Sequence, residues 1–384
     1  MNDLTPLAAV TAANPYPYYA RLVAERPFHR DEQSGMWVAA SAEAVEAILS
    51  STAMRVRPSS ETVPKAIVGT PIADLFGRLV RMTDGPSQVK LKDAVRATLD
   101  SVRLDELAVT SERCAKHLAE FRLGDMTEMN AYLFGLPPLV VAVTLGFADD
   151  DAPRAIAWAT RLVRSLSPGA TAEDVFCGTT AVDALRAKLQ NLTRTDSTHA
   201  SLFTTLLEEG RRHAIDDSVI IANAIGFLSQ SYDATAGLIG NVLVALASEP
   251  TEFRRSIGDD SELLAKFVDE IARYDAPIQN TRRFAIDDVK VMGSSVRAGD
   301  VVLLLLASAN RDPSANPDPH RFDPNHELRR IYTFGIGAHA CPGARVATTI
   351  ARAGVEQVIR SGIDLSTLHS TEYYPSANAR IPVF

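Results

Sequence analysis

Cysteine is scarce: three residues in 384, at positions 114, 177 and 341. They are too few and too scattered for a disulfide framework, and no CxxC or Cys/His cluster offers a zinc site. Long hydrophobic runs are missing as well. No stretch approaches the roughly 20 apolar residues needed to cross a bilayer, and the N-terminus has no basic region followed by an apolar run. The expectation is a cytoplasmic protein without a membrane anchor. Basic charge is also in deficit: 39 Lys and Arg against 47 Asp and Glu leave a net charge of -8. That balance argues against sequence-independent nucleic-acid binding, which needs a net basic face, and leaves open only a local basic patch.

What is there is ordinary globular composition. Apolar residues make up 46% and charged residues 22%, ample material for a large core. There is no repeat, low-complexity tract or clear linker. Residues 1–384 are therefore expected to form one mainly helical α+β domain.

Local patterns place its parts. NPYPYYARLVAERP reads as a proline-marked short helix, MWVAAS as a strand and SAEAVEAILSS as a helix. Residues 59–82, rich first in Pro, Gly and Thr and then apolar, suit a long and partly mobile connection. From Gln88 to about Leu246 an apolar period of 3.6 residues predicts a helical body, broken at GD, LPP and SPG. Its longest segment, residues 216–248, would be a rod about 45 Å long. After Tyr274 the chain alternates, with turn residues at 293–295 and 299–300, and short strands with a hairpin are expected. A last helix is expected over residues 343–362.

Cys114 and Cys177 lie in helical patterns and read as small semi-buried residues. Cys341 is different. It stands in FGIGAHACPG, residues 334–343, where Gly335, Gly337 and Gly343 permit positive φ and close approach of backbone to a flat ligand. It also lies just before a helix, whose amides and positive end stabilise a thiolate. Such a thiolate is suited to be an axial ligand to haem iron, with Phe334 shielding the sulfur and His339 facing a propionate.

FGIGAHACPGARVA resembles the haem-binding loop of the cytochrome P-450 family, Phe-Gly-x-Gly-x-His-x-Cys-x-Gly, with every fixed position filled, Gly335 included. Glu270 and Arg273 in DEIARYDAP match the family's Glu-x-x-Arg pair, which forms an internal ion-pair network; without the loop they would read as an ordinary surface helix pair. Arg283 stands where relatives bind a propionate. The segments NPYPYYARLVAERP, WVAAS and ANRDPSANPDPHRFDPNHE are also similar to the soluble bacterial branch, so the resemblance spans nearly the whole chain. It implies the P-450 fold, a large helical body with small β-sheets, and haem b between the long central helix and the Cys341 loop and its helix.

Two departures stand out. Relatives carry a His and an Arg four apart, both directed at propionates; here Gln88 and Lys92 take those places, and altered propionate contacts are expected. On the central helix the usual Ala-Gly-x-Asp/Glu-Thr falls on Gln230, Ser231, Tyr232, Asp233 and Ala234. The acid is present but the alcohol is displaced to Thr235, about 100° round the helix. Gln230 and Ser231, each one turn before those positions, are candidates to supply the missing donor with an ordered water; a polar group of the substrate is another, and a reaction that needs no such donor is a third. Asp233 is the expected acid for proton delivery.

The resemblance implies a monomeric haem-thiolate monooxygenase. It would insert one oxygen atom from O2 into a medium-sized, moderately apolar organic substrate of specialised metabolism. Electrons would come from a ferredoxin or flavodoxin with its reductase, docking near Cys341, with Lys92 and Arg345 as candidate contacts. The pocket would be lined by residues 59–78, 227–233 and 278–281. A peroxide-driven or otherwise atypical P-450, or a haem sensor without turnover, stays open as the alternative.

Overall fold

The computed structural model describes residues 4–58, 60–122, 128–194, 201–326 and 329–384. Helices dominate, and one of them organises the rest. Asp217–Ala247 runs unbroken for 31 residues, with the Asp216 side chain capping it by accepting from the Ser218 amide at 2.8 Å. Apolar on most sides, it sits in the largest hydrophobic cluster with Met129–Thr144, Ala152–Ser165 and Ala344–Arg360 around it. A helix buried nearly all round is what such a composition requires.

Strands β1 (Phe28–Arg30), β2 (Trp37–Ala39), β3 (Met54–Arg55), β4 (Thr281–Ala285) and β7 (Val301–Leu304) form one sheet in the order β1-β2-β7-β4-β3. Only the β2 to β7 pairing in it is parallel. The strands β5 (Val289–Val291) and β6 (Ser294–Val296) make a separate hairpin. The sheet carries its own smaller core, built from Val45, Ile48, Val302 and Leu304 among others. This is the mainly helical, small-sheet architecture expected.

Some local expectations change. Residues 60–82 are not an irregular connection: they hold the short turn Lys65–Ile67, the helix Pro71–Arg78 and the turn Val80–Met82. Thr70 caps that helix by accepting from Ala73 N, Pro71 opens it, and Ile72, Leu75 and Phe76 form its buried stripe. Ser59 lies outside the described residues, as does the Gly124-Asp125 break. At LPP the helix Met129–Thr144 continues straight through Pro137 and Pro138, both buried; packing on all sides outweighs the roughly 3 kcal/mol of an interior proline. The hairpin turns at Met292 and Gly293, both at positive φ, so Ser294 and Ser295 are already strand. After β7 the chain enters a short helix, Leu306–Asn310, that alternation did not announce.

Candidate active site

The cysteine loop folds back on itself. Cys341 N donates to the Phe334 carbonyl at 2.7 Å, and Gly335 and Gly337 sit at φ +65° and +68°, which only glycine adopts without strain. Gly343 does not: its φ is -94°, and it serves as N-cap of Ala344–Arg360, with its N–H directed at the Cys341 sulfur. Phe334 is half-buried and packs against the large core. Cys341 is exposed by surface area, yet burial is the largest influence on its thiol and pushes its pKa up, against the Gly343 amide and the Lys92 charge. The groups that favour its thiolate are thus the amide at the start of the following helix and a buried ammonium. Cys114, by contrast, is packed, and burial raises its thiol to about 11.

Helix Pro86–Asp100 brings two buried side chains to this loop. Gln88 and Lys92, one turn apart, donate to the carbonyls of Ala338 and Ala340. They therefore flank His339 from the backbone. Lys92 is 6% exposed, which removes it from any docking surface; Arg345 is exposed.

His339 has a partner that the sequence pattern did not announce. Its Nε2 lies 3.1 Å from Asp84 Oδ1, and the ring nitrogen must carry the proton because a carboxylate only accepts. Burial works against the Asp84 charge, but His339, the Val56 amide and Arg55 outweigh it and hold the carboxyl below its usual range. Arg283 faces inward because β4 alternates, with Arg282 outward. Its guanidinium is buried, makes no ion pair among the described residues, and donates only from Nη1, to the Arg282 carbonyl at 2.8 Å and Thr281 Oγ1 at 3.4 Å. A dehydrated guanidinium with unspent donors is the complement of a carboxylate. An exposed thiol in a glycine-bent loop and an arginine without an ion pair together fit a haem with its propionates.

On the central helix, Phe227, Gln230, Ser231 and Ala234 are half-buried while most of their neighbours are buried. Their spacing of three and four residues makes one stripe, and Asp233 flanks it. The Gln230 amide donates to the Gly226 carbonyl at 2.9 Å and the Ser231 hydroxyl to the Leu228 carbonyl at 3.0 Å, so both donors are directed at the helix itself. Thr235 is 1% exposed and its hydroxyl has no partner. Burial raises the Asp233 carboxyl, and Arg81 opposes that rise.

Behind the loop, Glu270 and Arg273 are buried at 0% and 1% exposure. Arg273 also donates to the carbonyls of Pro319 and Arg321, and Glu270 accepts from the Asp323 amide. This is an internal network, not a surface pair.

Comparison with known proteins points to one family. A family model described as Cytochrome P450 matches residues 179–361. Cytochrome P450 monooxygenase PikC of Streptomyces venezuelae is 28% identical over 376 residues, covering 95% of this chain and 88% of that protein. Vitamin D(3) 25-hydroxylase of Pseudonocardia autotrophica is 28% identical over 366 residues, 92% of this chain and 87% of that one.

The chain belongs to the cytochrome P450 family.

The solved structure of CalO2 superposes on this P450 with a TM-score of 0.78 at 24% identity, covering 90% of this chain and 88% of the other. P450BioI in complex with an acyl carrier protein gives 0.80 at 21% identity, with 96% of each chain covered. The family implies haem with cysteine thiolate ligation, and the enzyme is a P450 monooxygenase. No helix among the described residues is long and apolar enough to cross a membrane. The Asp84 partner of His339 escaped sequence reading; its one signal was the acid at the head of the Pro86–Asp100 helix, in TDGP.

Proposed function

We propose that this P450 is a cytosolic, single-domain haem b enzyme. It inserts one oxygen atom from O2 into a medium-sized organic substrate, with electrons from a ferredoxin or flavodoxin and its reductase. The observation that carries the reading is Cys341: an exposed cysteine in a glycine-bent loop at a helix start, with the Gly343 amide on its sulfur. When bound, the haem supplies oxygen activation at a thiolate-ligated iron.

The chain's residues have separate tasks. The Gly343 amide and the nearby Lys92 ammonium favour the thiolate form of Cys341. Arg283 holds a propionate through its unspent guanidinium donors. His339, held by Asp84, orders the loop beside it, and Gln88 and Lys92 brace the loop backbone. Glu270 and Arg273 fix the segments that carry the loop. Asp233 holds the proton for delivery through ordered water, because the donors of Gln230 and Ser231 are directed at helix carbonyls and Thr235 lies off the stripe. Phe227, Ile278 and Thr281 give the substrate side an apolar lining with a hydroxyl, which suits a moderately apolar molecule, whereas the amides of Gln279 and Asn280 are buried and donate to the Ala276 and Ala377 carbonyls. One relative is, by name, a hydroxylase of vitamin D(3).

Product formation with ferredoxin, reductase and NADPH, set against product formation with hydrogen peroxide alone, tests the reaction. Oxygenated product in the first arm is expected. Turnover confined to the peroxide arm overturns the monooxygenase reading. Cys341→Ala should abolish the red-shifted carbon monoxide complex, and an unchanged spectrum overturns the ligand assignment.

A further inference from the structure

From Ile220 to its end, the central helix Asp217–Ala247 offers three side chains to hydrogen bonds with other elements among the described residues, and they stand nine residues apart. Asn223 accepts from Val80 N at 2.8 Å and donates to the Arg78 carbonyl at 2.9 Å. Asn241 donates to the Asp275 carbonyl at 2.8 Å. Midway between them, the Tyr232 hydroxyl shares a hydrogen bond of 3.0 Å with Thr160 Oγ1, on the helix Ala152–Ser165. All three are buried, Tyr232 at 9% exposure and the asparagines at 1% each.

That spacing makes two and a half turns at about 3.6 residues per turn. Asn223 and Asn241 therefore leave the helix on one side, and Tyr232 leaves it on the other. The half-buried stripe of Phe227, Gln230, Ser231 and Ala234 lies on the asparagines' side: at about 100° per residue, Gln230 and Ala234 come within about 20° of the Asn223 direction. Tyr232 is thus the back of the turns whose front carries the stripe. A rod held from one side near its ends and from the other side at its middle is fixed against both rotation and bowing.

Within those turns the tyrosine has no substitute. Gln230 and Ser231 donate to carbonyls of their own helix, Ala234 has no polar side-chain atom, and the Thr235 hydroxyl has no partner. Among the described residues, Tyr232 is the one side chain from 230 to 235 that is hydrogen-bonded to another element. Its ring stacks on Phe134 of the helix Met129–Thr144, with centroids 5.1 Å apart and planes 27° apart, and Phe134 meets Tyr374 edge-on at 5.0 Å. Stacked rings tolerate sliding, whereas a hydrogen bond is directional and sets how deep the phenol reaches.

We infer that Tyr232 is a positioning residue for the oxygenation: bonded to Thr160, it holds the stripe and Asp233 in place from the opposite side of the helix. The inference rests on the haem-thiolate reading above and adds the residue that sets the geometry of the helix wall. The demand on that geometry is high in this chain because Ala234 supplies no alcohol. Water ordered by the helix must then find the same positions at every turnover, and small misplacements are expensive.

The test uses the haem-loaded protein with Tyr232→Phe, Thr160→Val and the two together, and with Thr160→Ser, which keeps the hydroxyl. Tyr232→Phe also keeps the stack on Phe134. Two readouts follow the stripe rather than the stability of the fold: the infrared stretching band of haem-bound carbon monoxide, which responds to polar groups beside it, and the product formed per NADPH consumed with ferredoxin and reductase. Each single variant should broaden or split the band and lower the product yield at least about threefold. The double variant should match the single ones, because both remove the same bond, and Thr160→Ser should match the wild type. If both single variants keep the wild-type band, or both keep the wild-type yield, the inference is overturned whatever their melting temperatures. Effects that add in the double variant also overturn it, since the two hydroxyls would then act separately. Failure of the haem-thiolate reading is distinct, because no red-shifted carbon monoxide complex then forms even in the wild type.

Discussion

The Arg273 guanidinium donates to both oxygens of the Glu270 carboxylate, from Nε at 2.9 Å and from Nη2 at 2.5 Å, with neither side chain more than 1% exposed. Each charge balances the other in the interior, with Arg329 Nε 3.5 Å from the same carboxylate. Glu270→Gln keeps the shape and strands the arginine. A loss of about 3–5 kcal/mol is expected, read as a lower denaturant midpoint with unchanged slope. Arg273→Lys should not rescue the site, because a point charge cannot serve two carboxylate oxygens and the carbonyls of Pro319 and Arg321 together.

Arg283 is a buried cation without an acid in ion-pair range among the described residues. Arg283→Leu removes the donors proposed to hold a propionate and also removes a dehydrated charge. The apoprotein should therefore fold as well as the wild type or better, while haem dissociates at least about tenfold faster. Transfer of haem to apomyoglobin measures this directly; an unchanged rate counts against the assignment.

Asp233 gives a prediction with a fixed sign. Burial raises its carboxyl above the unfolded value, and Arg81 only partly opposes that. A group shifted upward stabilises the fold fully below its unfolded pKa and loses that contribution as pH rises through its folded pKa. Ionised Asp233 near neutral pH is thus a cost, and Asp233→Asn should raise the unfolding midpoint there. The difference should close as pH falls toward about 4. Electron-driven turnover should drop about a hundredfold in the same variant.

Thr235 and Ala234 separate position from chemistry. The Thr235 hydroxyl is buried without a partner, an arrangement that costs about 1–3 kcal/mol. Thr235→Val should be neutral or stabilising and leave turnover within about twofold. Ala234→Thr puts a hydroxyl on the half-buried stripe and should raise the yield of product per electron consumed. Oxygen uptake measured alongside product decides both.

Legibility followed the range of the interactions concerned. Helix Asp217–Ala247 was readable because capping and apolar period are local, and the cysteine loop because its glycines answer to φ within ten residues. Helix Pro71–Arg78 carried an equally local signature, Thr-Pro and then an apolar stripe, but it lay in a stretch dominated by turn residues. The uninterrupted helix through Pro137 and Pro138 was not readable: local propensity points to a break, and only surrounding packing reverses it.

The sequence by itself determined the cofactor class, because a thiolate at a helix start in a glycine loop is built by neighbours along the chain. It also determined that the usual alcohol is missing at Ala234. Tertiary structure alone decided which side chains are already spent. Gln230 and Ser231 turn to their own helix, His339 takes Asp84, and Lys92 goes inward to the loop. Partnership and dehydration depend on residues up to hundreds of positions apart, and no local pattern encodes them.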